Sequence, residues 1–247
     1  WTLVSGLWTA PAEAATATQL ATANETVTGA AGAWTNPNNA HADDGVYATA
    51  APGKNQVYEL RWKTVGFDGA IPSGSTISSV KILAEYKVST TSSVATLLAQ
   101  ATVSGTDCPT TAQTHTTEPT SDTVVTFDIT SCRSWTRDDL LDAALKVRLG
   151  ARRGNHNTAV TFSLDYVTVE VVYTPAVVWD GGGTDAACGG AAGDGNKWSC
   201  AANWTGDTLP GSSDSPIFDA TSTKNATINV NPDVAGIDIS STYTGTI

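Results

Sequence analysis

The side chains best suited to catalysis are few and dispersed in this sequence. The three histidines, His41, His115 and His156, lie in polar, turn-like segments, and none belongs to an HxH or HExxH metal-binding pair. No GxSxG motif marks a nucleophilic serine, and the three glycines at 181–183 are not followed by the GK[ST] of a phosphate-binding loop. We therefore expect no catalytic centre and no enzymatic activity.

Acidic side chains suggest two further kinds of site. Glycoside hydrolysis would need two facing carboxylates, and the candidates Glu59, Glu85, Asp165 and Glu170 alternate with apolar residues in predicted strands, as on a solvated sheet face.

Calcium binding is the second possibility, because calcium prefers oxygen ligands from flexible loops. Asp43 and Asp44 lie in a predicted turn close to the asparagines at positions 36, 38 and 39. They are the candidate ligands for a structural calcium ion, although Asp and Asn in turns also hydrogen-bond their own backbone. No other cofactor is expected.

The four cysteines fall into two local pairs, Cys108 with Cys132 and Cys188 with Cys200. Local pairing has the lowest loop-closure cost of the three connectivities that four cysteines allow. A zinc site would need CxxC or Cys/His spacing, which does not occur. Two disulfides favour an oxidising compartment, and hence an extracellular or cell-surface location. The Asn-x-Thr pattern adds candidate glycosylation sites at Asn24, Asn203 and Asn225.

Aromatic side chains are candidates for sugar binding, because exposed rings can stack on pyranoses. The tryptophans that could do so are Trp34, Trp62, Trp135, Trp198 and Trp204. The alternative is that they form the core, where large aromatics usually bury their area.

The composition narrows the classes of protein. The 247 residues contain 13 Lys and Arg against 24 Asp and Glu, a net charge of -11. A chain with this negative charge is not expected to bind nucleic acids or anionic membranes. No apolar run is long enough for membrane insertion. A hydrophobic fraction of 40% with eight Trp predicts a folded chain, and the 39 Thr favour solvated sheet faces.

Apolar residues alternate with polar ones at 80–88, 124–129, 145–149 and 163–173, separated by turn-forming clusters. This pattern predicts an all-β fold with an antiparallel jelly-roll or β-sandwich domain. Residues 135–145 predict a short helix with Thr136 as its N-cap. Further β character is expected at 217–218, 226–230, 237–239 and 243–247.

A change in composition near residue 175 divides the chain. We predict an apolar arm at 1–10, a jelly-roll β-sandwich at 11–175 and a small Gly-rich β domain at 176–247.

Two resemblances support this division. The first is carried by WTNPNNA at 34–40, DDGVYAT at 43–49, GF at 66–67, IPSGSTI at 71–77 and DYVTV at 165–169. Residues 15–174 thereby resemble a jelly-roll module of bacterial surface and secreted proteins. The resemblance implies a β-sandwich similar to carbohydrate-binding modules, without catalytic activity.

The second resemblance is carried by WDGGGTD at 179–185, NKWS at 196–199, ANWTG at 202–206, LPGSSD at 209–214 and IFD at 217–219. Residues 177–247 resemble the segment that precedes β-helical repeats in autotransporter-type bacterial adhesins, with an inserted loop between Cys188 and Cys200. Trp34, Trp179 and Trp204 occupy motif positions, and we expect them in the core.

Both ends of the sequence predict self-association. The apolar residues of the arm are Trp1, Leu3, Val4, Leu7 and Trp8, and the strand-like end carries Ile237, Ile239, Tyr243 and Ile247. Strand pairing between copies through these two surfaces would give a homopolymer, because a head-to-tail contact that does not close forms a filament.

We therefore predict a non-enzymatic extracellular structural or adhesive protein, specifically a pilus-like filament subunit that binds copies of itself. The first alternative is a carbohydrate-binding module of a larger secreted enzyme or adhesin, whose partners are glycans or host and cell surfaces. The second is a virion or tail-fibre protein.

Overall fold

A computed structural model describes residues 14–91, 94–212 and 214–247. The arm residues Trp1, Leu3, Val4, Leu7 and Trp8 lie outside this range. Regular structure in the described residues consists of β-strands and short 3-10 helices, as an all-β fold requires, and none of their helices has the length and apolarity to cross a membrane. The chain divides into two compact units, one formed by Thr16–Ile71 with Ile77–Tyr173 and the other containing Pro72–Thr76 and Thr174–Ile247.

The strands are β1 (Ala15–Leu20), β2 (Ala23–Thr26), β3 (Ala48–Ala50), β4 (Val57–Lys63), β5 (Thr76–Val88), β6 (Ala95–Val103), β7 (Thr106–His115), β8 (Thr123–Asp128), β9 (Leu145–Arg153), β10 (Phe162–Thr174), β11 (Ile217–Phe218) and β12 (Asp238–Ile239). The 3-10 helices are Pro37–Ala40, Thr130–Cys132, Arg137–Leu140, Asp194–Asn196, Ala201–Asn203 and Thr205–Asp207.

The first unit is an antiparallel β-sandwich of the jelly-roll type. Sheet A has the strand order β1-β10-β5-β8, with β3 pairing to the start of β10, and sheet B has the order β2-β4-β9-β6-β7. Strands pair antiparallel in β3–β10 and β5–β8 of sheet A and in β2–β4, β4–β9, β6–β9 and β6–β7 of sheet B. Each sheet turns one face to the core, because successive side chains of a strand point to opposite faces.

The core of the sandwich follows from the predicted alternation. In β5 the residues Val80, Ile82, Ala84, Tyr86 and Val88 are buried, whereas the residues between them are partly exposed. Aromatic rings join the two sheets in the centre of this core.

Trp34 lies edge-on to Trp62 of sheet B at 5.7 Å and to Phe162 of sheet A at 6.5 Å, measured between ring centroids. Phe162 stacks on Tyr86 at 6.2 Å. These pairs add directional contacts to the hydrophobic burial that stabilises the sandwich.

Disulfides join Cys108 to Cys132 in the first unit and Cys188 to Cys200 in the second, with Cα–Cα distances of 5.5 and 5.1 Å. This is the local connectivity that the sequence favours. Each bond joins two cysteines that are close in the sequence, and it reduces the conformational freedom of the unfolded chain.

The predicted helix at 135–145 is largely wrong. Only Arg137–Leu140 is helical, as one 3-10 turn, and the chain is extended again at Leu141. Thr136 does begin the turn, since its N–H and its Oγ1 hydroxyl both donate to Asp139 Oδ2 at 2.9 Å. Leu145 belongs to β9, because strand pairing with β4 and β6 outweighs the local helix signal.

Short pairings connect the segments of the second unit. Val178 forms a parallel bridge with Ile217, β11 pairs in parallel with β12, and Lys197 forms a parallel bridge with Thr227, whereas Trp179 forms an antiparallel bridge with Trp204. The resemblance of this unit to the segment before β-helical repeats in adhesins stays a prediction.

A cluster of aromatics forms the core of this unit. Trp179, Trp198, Trp204 and Phe218 are buried against one another, with centroid distances of 4.6–6.1 Å. The indole N–H of Trp204 donates to the Trp198 carbonyl, and that of Trp179 donates to the Lys224 carbonyl. The indole N–H groups of Trp179 and Trp204 are therefore buried with hydrogen-bond partners.

Two of the expected C-terminal strands are absent. Residues 226–230 contribute only the bridge at Thr227, and 243–247 contain no strand. Tyr243, expected at an assembly edge, instead packs on the aromatic cluster 5.3 Å from Phe218 and donates its hydroxyl to the Lys224 carbonyl. Hydrophobic burial outweighs strand propensity at this position.

We expect Trp204→Ala to destabilise the second unit by about 3–5 kcal/mol, because a large buried aromatic is replaced by a cavity. Hydrogen exchange of peptides from 177–227, read by mass spectrometry, measures the effect. The control Ile228→Ala, at a side chain 42% exposed, should change stability by less than about 0.5 kcal/mol. Unchanged exchange in the Trp204 variant would show that the cluster does not stabilise this unit.

Candidate functional site

The outer face of sheet A carries an irregularity in β10. The buried residues Phe162 and Leu164 alternate normally, but the next inward residue is Val167, followed by Val169 and Val171. Asp165 and Tyr166 consequently both lie on the outer face. A change of phase of this kind is typical of a β-bulge, which re-aims side chains locally.

Asp165 is the centre of an acidic cluster, which we define as Asp43, Glu85 and Asp165. One carboxylate oxygen from each residue lies within 4.8 Å of the others. The loop before β3 covers Asp165, so that this side chain is only 3% exposed. Gly45 N–H donates to both oxygens of Asp165 at 3.1 Å, and Asp44 N–H approaches Oδ1 at 3.5 Å.

Mutual repulsion disfavours the state of the cluster in which all three carboxylates are ionised. The pKa of Glu85 is raised, first by burial and then by the negative charges of Asp43, Asp165 and Asp122. Lys87 opposes this shift only in part. Burial and then the negative charges of all three cluster carboxylates, Glu85 first, also raise the pKa of the Tyr166 hydroxyl. Proton uptake or a bound cation would relieve this repulsion.

The donor set fits calcium. Calcium takes carboxylate oxygens in flexible geometry from several chain segments, and the cluster supplies oxygens from the loop before β3, from β5 and from β10. Neither histidine nor cysteine contributes to the cluster, which makes a hard, oxygen-preferring cation the better match.

The two residues predicted as calcium ligands, Asp43 and Asp44, have different roles in the structure. Asp43 belongs to the cluster, whereas the Asp44 carboxylate accepts the Val46 N–H at 2.9 Å. Asp44 therefore follows the alternative interpretation, in which a turn aspartate bonds its own backbone. The nearby asparagines are engaged elsewhere: Asn39 donates to the Tyr47 carbonyl, and Asn38 accepts from Asn24.

Glu85 and Asp165 were expected on a solvated face, and their contact was not predicted. Glu85 lies among alternating residues of β5 and carries no distinguishing pattern. For Asp165 one signal exists, since Leu164 and Val167 are three positions apart where a regular strand would space them by two.

A groove of about 470 Å³ adjoins the acidic cluster on the outer face of sheet A. Its walls combine apolar and hydrogen-bonding side chains from β1, β5, β10 and the loop before β3. They are Thr18, Gln19, Leu20, Thr22, Asp43, Leu83, Tyr166 and Thr168. Asp43 belongs to both the groove and the cluster, and thus a cation bound at the cluster would fix one wall of the groove.

The tryptophans predicted for sugar stacking are all buried. Trp34, Trp62, Trp135, Trp198 and Trp204 are at most 8% exposed and lie in the two cores. Tyr166, which the sequence did not single out, supplies the aromatic ring of the groove instead. Tyr166 differs from the other tyrosines in its position in the sheet, which the sequence does not reveal.

One predicted glycosylation site is wrong. Asn203 is fully buried, where its Oδ1 accepts the Gly183 N–H and its Nδ2 donates to the Lys197 carbonyl. Asn24 is partly exposed and Asn225 is exposed, so these two positions stay predictions.

No protein-family profile and no curated protein matches the chain. Among solved structures, the chain is similar to the xylan-binding module CBM15, with 14% identity, 66% of this chain and 99% of that chain covered, and a TM-score of 0.38. It is also similar to a CBM4 structure, with 15% identity, 53% and 87% covered and a TM-score of 0.34. A family 29 carbohydrate-binding module from Piromyces equi gives 13% identity, 64% and 90% covered and a TM-score of 0.32.

We expect calcium chloride to raise the melting temperature of the protein relative to EDTA, because an ion that binds only the folded chain stabilises it. Glu85→Gln and Asp43→Asn should each weaken calcium binding about tenfold or more, since each removes a charged ligand. Isothermal titration calorimetry measures the affinities, and differential scanning calorimetry the stabilities.

Asp44→Asn is the matched control, since it removes an adjacent carboxylate that lies outside the cluster. This variant should keep the calcium response. Equal loss of binding in the Asp44 and Asp43 variants, or no binding by the unmodified protein, would contradict the assignment.

Proposed function

We propose that this chain binds a polysaccharide without cleaving it, in the groove on the outer face of sheet A. The observation that carries the proposal is the Tyr166 ring, which lies in an open groove beside the apolar side chains of Leu20 and Leu83. A sugar ring has apolar C–H faces and a polar rim, and this surface offers a complement to both. The groove volume of about 470 Å³ lies within the usual range for ligand sites.

Polar groups surround this apolar surface on the same face. Thr18 and Thr168 supply hydroxyls and Asp43 a carboxylate. Hydroxyls both donate and accept hydrogen bonds, as the hydroxyls of a sugar require. Few convergent polar groups on an apolar floor are typical of sites that fix the orientation of a ligand.

A calcium ion held by the acidic cluster would support this function indirectly. It would neutralise the carboxylates at the edge of the groove and would hold Asp43 in one position. Residues locked by their surroundings lose less entropy when a ligand binds. We therefore propose a structural role for the calcium ion, without a part in catalysis.

Carbohydrate binding replaces self-assembly as the favoured function. The predicted arm lies outside the described residues, and Tyr243 belongs to the core of the second unit. Ile237, Ile239 and Ile247 are 41%, 57% and 41% exposed, which leaves the filament prediction supported by these three side chains alone. The virion or tail-fibre alternative has no specific support among the described residues.

We further propose that the protein works outside the cell, as a non-catalytic part of a secreted or surface protein. The two disulfides support an oxidising compartment. Extracellular polysaccharides are the class of ligand that such a location offers.

Tyr166→Ala should lower the affinity for a polysaccharide ligand about tenfold or more, because it removes the aromatic surface of the groove. Tyr166→Phe should retain most of the affinity. The measurement is affinity electrophoresis against soluble xylan, mixed-linkage glucan and mannan, followed by calorimetry with the best ligand.

Val124→Ala serves as the control on the same sheet, since Val124 is 47% exposed and lies on β8, outside the groove. It should bind as the unmodified protein does. Absence of binding to every polysaccharide, or binding unaffected by Tyr166→Ala, would sink the proposal. Release of reducing sugar would contradict its non-catalytic part.

A further inference from the structure

The outer face of sheet B concentrates the positive charge of an acidic protein. Among the described residues, five of the thirteen Lys and Arg of the chain lie on this face, with only three of the 24 Asp and Glu. The cations are Arg61, Lys63, Lys146, Arg148 and Arg152, and the carboxylates are Glu25, Glu59 and Asp107. We call these eight side chains the basic face.

The strand register places like charges directly opposite one another. Arg61 of β4 pairs with Arg148 of β9, and two positions along, Lys63 pairs with Lys146. Cross-strand neighbours lie about 5 Å apart and residues two positions apart along a strand about 7 Å, so the four cations form a compact rectangle. Like charges directly opposite one another destabilise a sheet.

Carboxylates offset this repulsion only in part. Glu25 accepts hydrogen bonds from Lys146 at 2.7 Å and Lys63 at 3.3 Å, which lower its pKa. Arg148 is held by Glu59 in a two-point contact at 2.9 and 3.0 Å. Asp107 adds a third contact to Arg148 at 3.2 Å.

Two guanidinium groups have little compensation. Arg61 reaches only Glu25, at 4.0 Å, and its buried Nε has no hydrogen-bond partner among the described residues. Arg152 donates to the neutral hydroxyl of Thr96 at 3.2 Å and is exposed. The Nε of Arg61 is too buried to reach a ligand, so the donors that both residues keep are their terminal guanidinium nitrogens, in the planar geometry that suits carboxylate and sulfate groups.

Neutral residues flank the cations on β6. Register places Gln100 beside Arg148 and Thr102 beside Lys146, but both side chains are only 5% exposed and the Thr102 hydroxyl donates to Asp107. The surface that a ligand can reach therefore consists of the cations themselves, spaced along two strands. This spacing fits a chain that carries acidic groups at intervals.

We propose that the basic face binds an acidic polysaccharide, one that carries carboxylate or sulfate groups, at a site separate from the groove on sheet A. Charge complementarity selects this ligand, because the rectangle of cations is the one strongly basic feature we find on the described surface of a chain with net charge -11. That net charge also opposes nucleic acids, whose densely spaced phosphates need a larger surplus of Lys and Arg.

The test is binding of the whole chain to polygalacturonate, which carries carboxylates, and to dextran sulfate, with neutral dextran as the reference. We expect binding to at least one polyanion, and the stronger of the two identifies the acidic group. Affinity should fall as salt rises, because exposed charges are screened. Failure to bind either polyanion, or equal binding to neutral dextran, would overturn the proposal, as would tighter binding of a single-stranded oligonucleotide.

Lys63→Gln and Lys81→Gln form a matched pair. Each removes one positive charge from a strand lysine with a glutamate partner, at 3.3 and 3.4 Å, and the lysine side chains are 35% and 34% exposed. Lys63 lies on the basic face and Lys81 on sheet A. Polyanion affinity should fall about tenfold in the Lys63 variant, as for one lost charge-assisted contact, and stay unchanged in the Lys81 variant. Equal losses would show a net-charge effect and contradict the site.

Glu25→Gln provides the opposite change on the same face. It removes the carboxylate that occupies Lys63, Lys146 and Arg61. We expect lower thermal stability but severalfold tighter binding of the polyanion, a combination that damage to the fold cannot produce. Weaker binding in this variant would overturn the proposal. Tyr166→Ala should leave polyanion binding intact, so this site and the groove can fail independently.

Discussion

The buried carboxylate of Asp165 fixes the surface that we propose as functional. Its oxygens accept backbone N–H groups from the loop before β3, which holds that loop against β10 and brings Asp43 next to Glu85. A carboxylate only 3% exposed is costly unless it is hydrogen-bonded, and here the hydrogen bonds come from the segment that completes the cluster. The same contact places Asp43 at the wall of the groove, so the position of this loop, the acidic cluster and the proposed ligand surface depend on one side chain.

The two sheets use charge in opposite ways. Sheet A gathers carboxylates that a cation would stabilise, whereas sheet B sets arginine opposite arginine and lysine opposite lysine. A sheet that served only as a scaffold would gain stability from alternating opposite charges. Like charges on rigid strands are energetically useful when an oppositely charged ligand binds them, which is the basis of the binding proposed for the basic face.

Alternation of apolar and polar residues predicted the long strands well, because in β5 and β9 burial of one face follows the sequence directly. The helix at 135–145 was predicted from local capping signals, and strand pairing of Leu145 overrode them. The acidic cluster was half predicted: Asp43 lies in a recognisable turn, but its contact with Glu85 depends on a phase change in β10 and on pairing between distant strands. Trp62 illustrates the remaining difficulty, since residue type alone does not distinguish a core ring from a sugar-binding ring.

Polysaccharide binding at Tyr166 can be located by amide chemical-shift mapping in NMR during titration with an oligosaccharide of the preferred polysaccharide. We expect shifts confined to Thr18–Thr22, Leu83 and Tyr166–Thr168, all around the groove. Shifts that avoid Tyr166 and cluster instead around Trp198 and Pro232, which line a groove of the second unit, would contradict it.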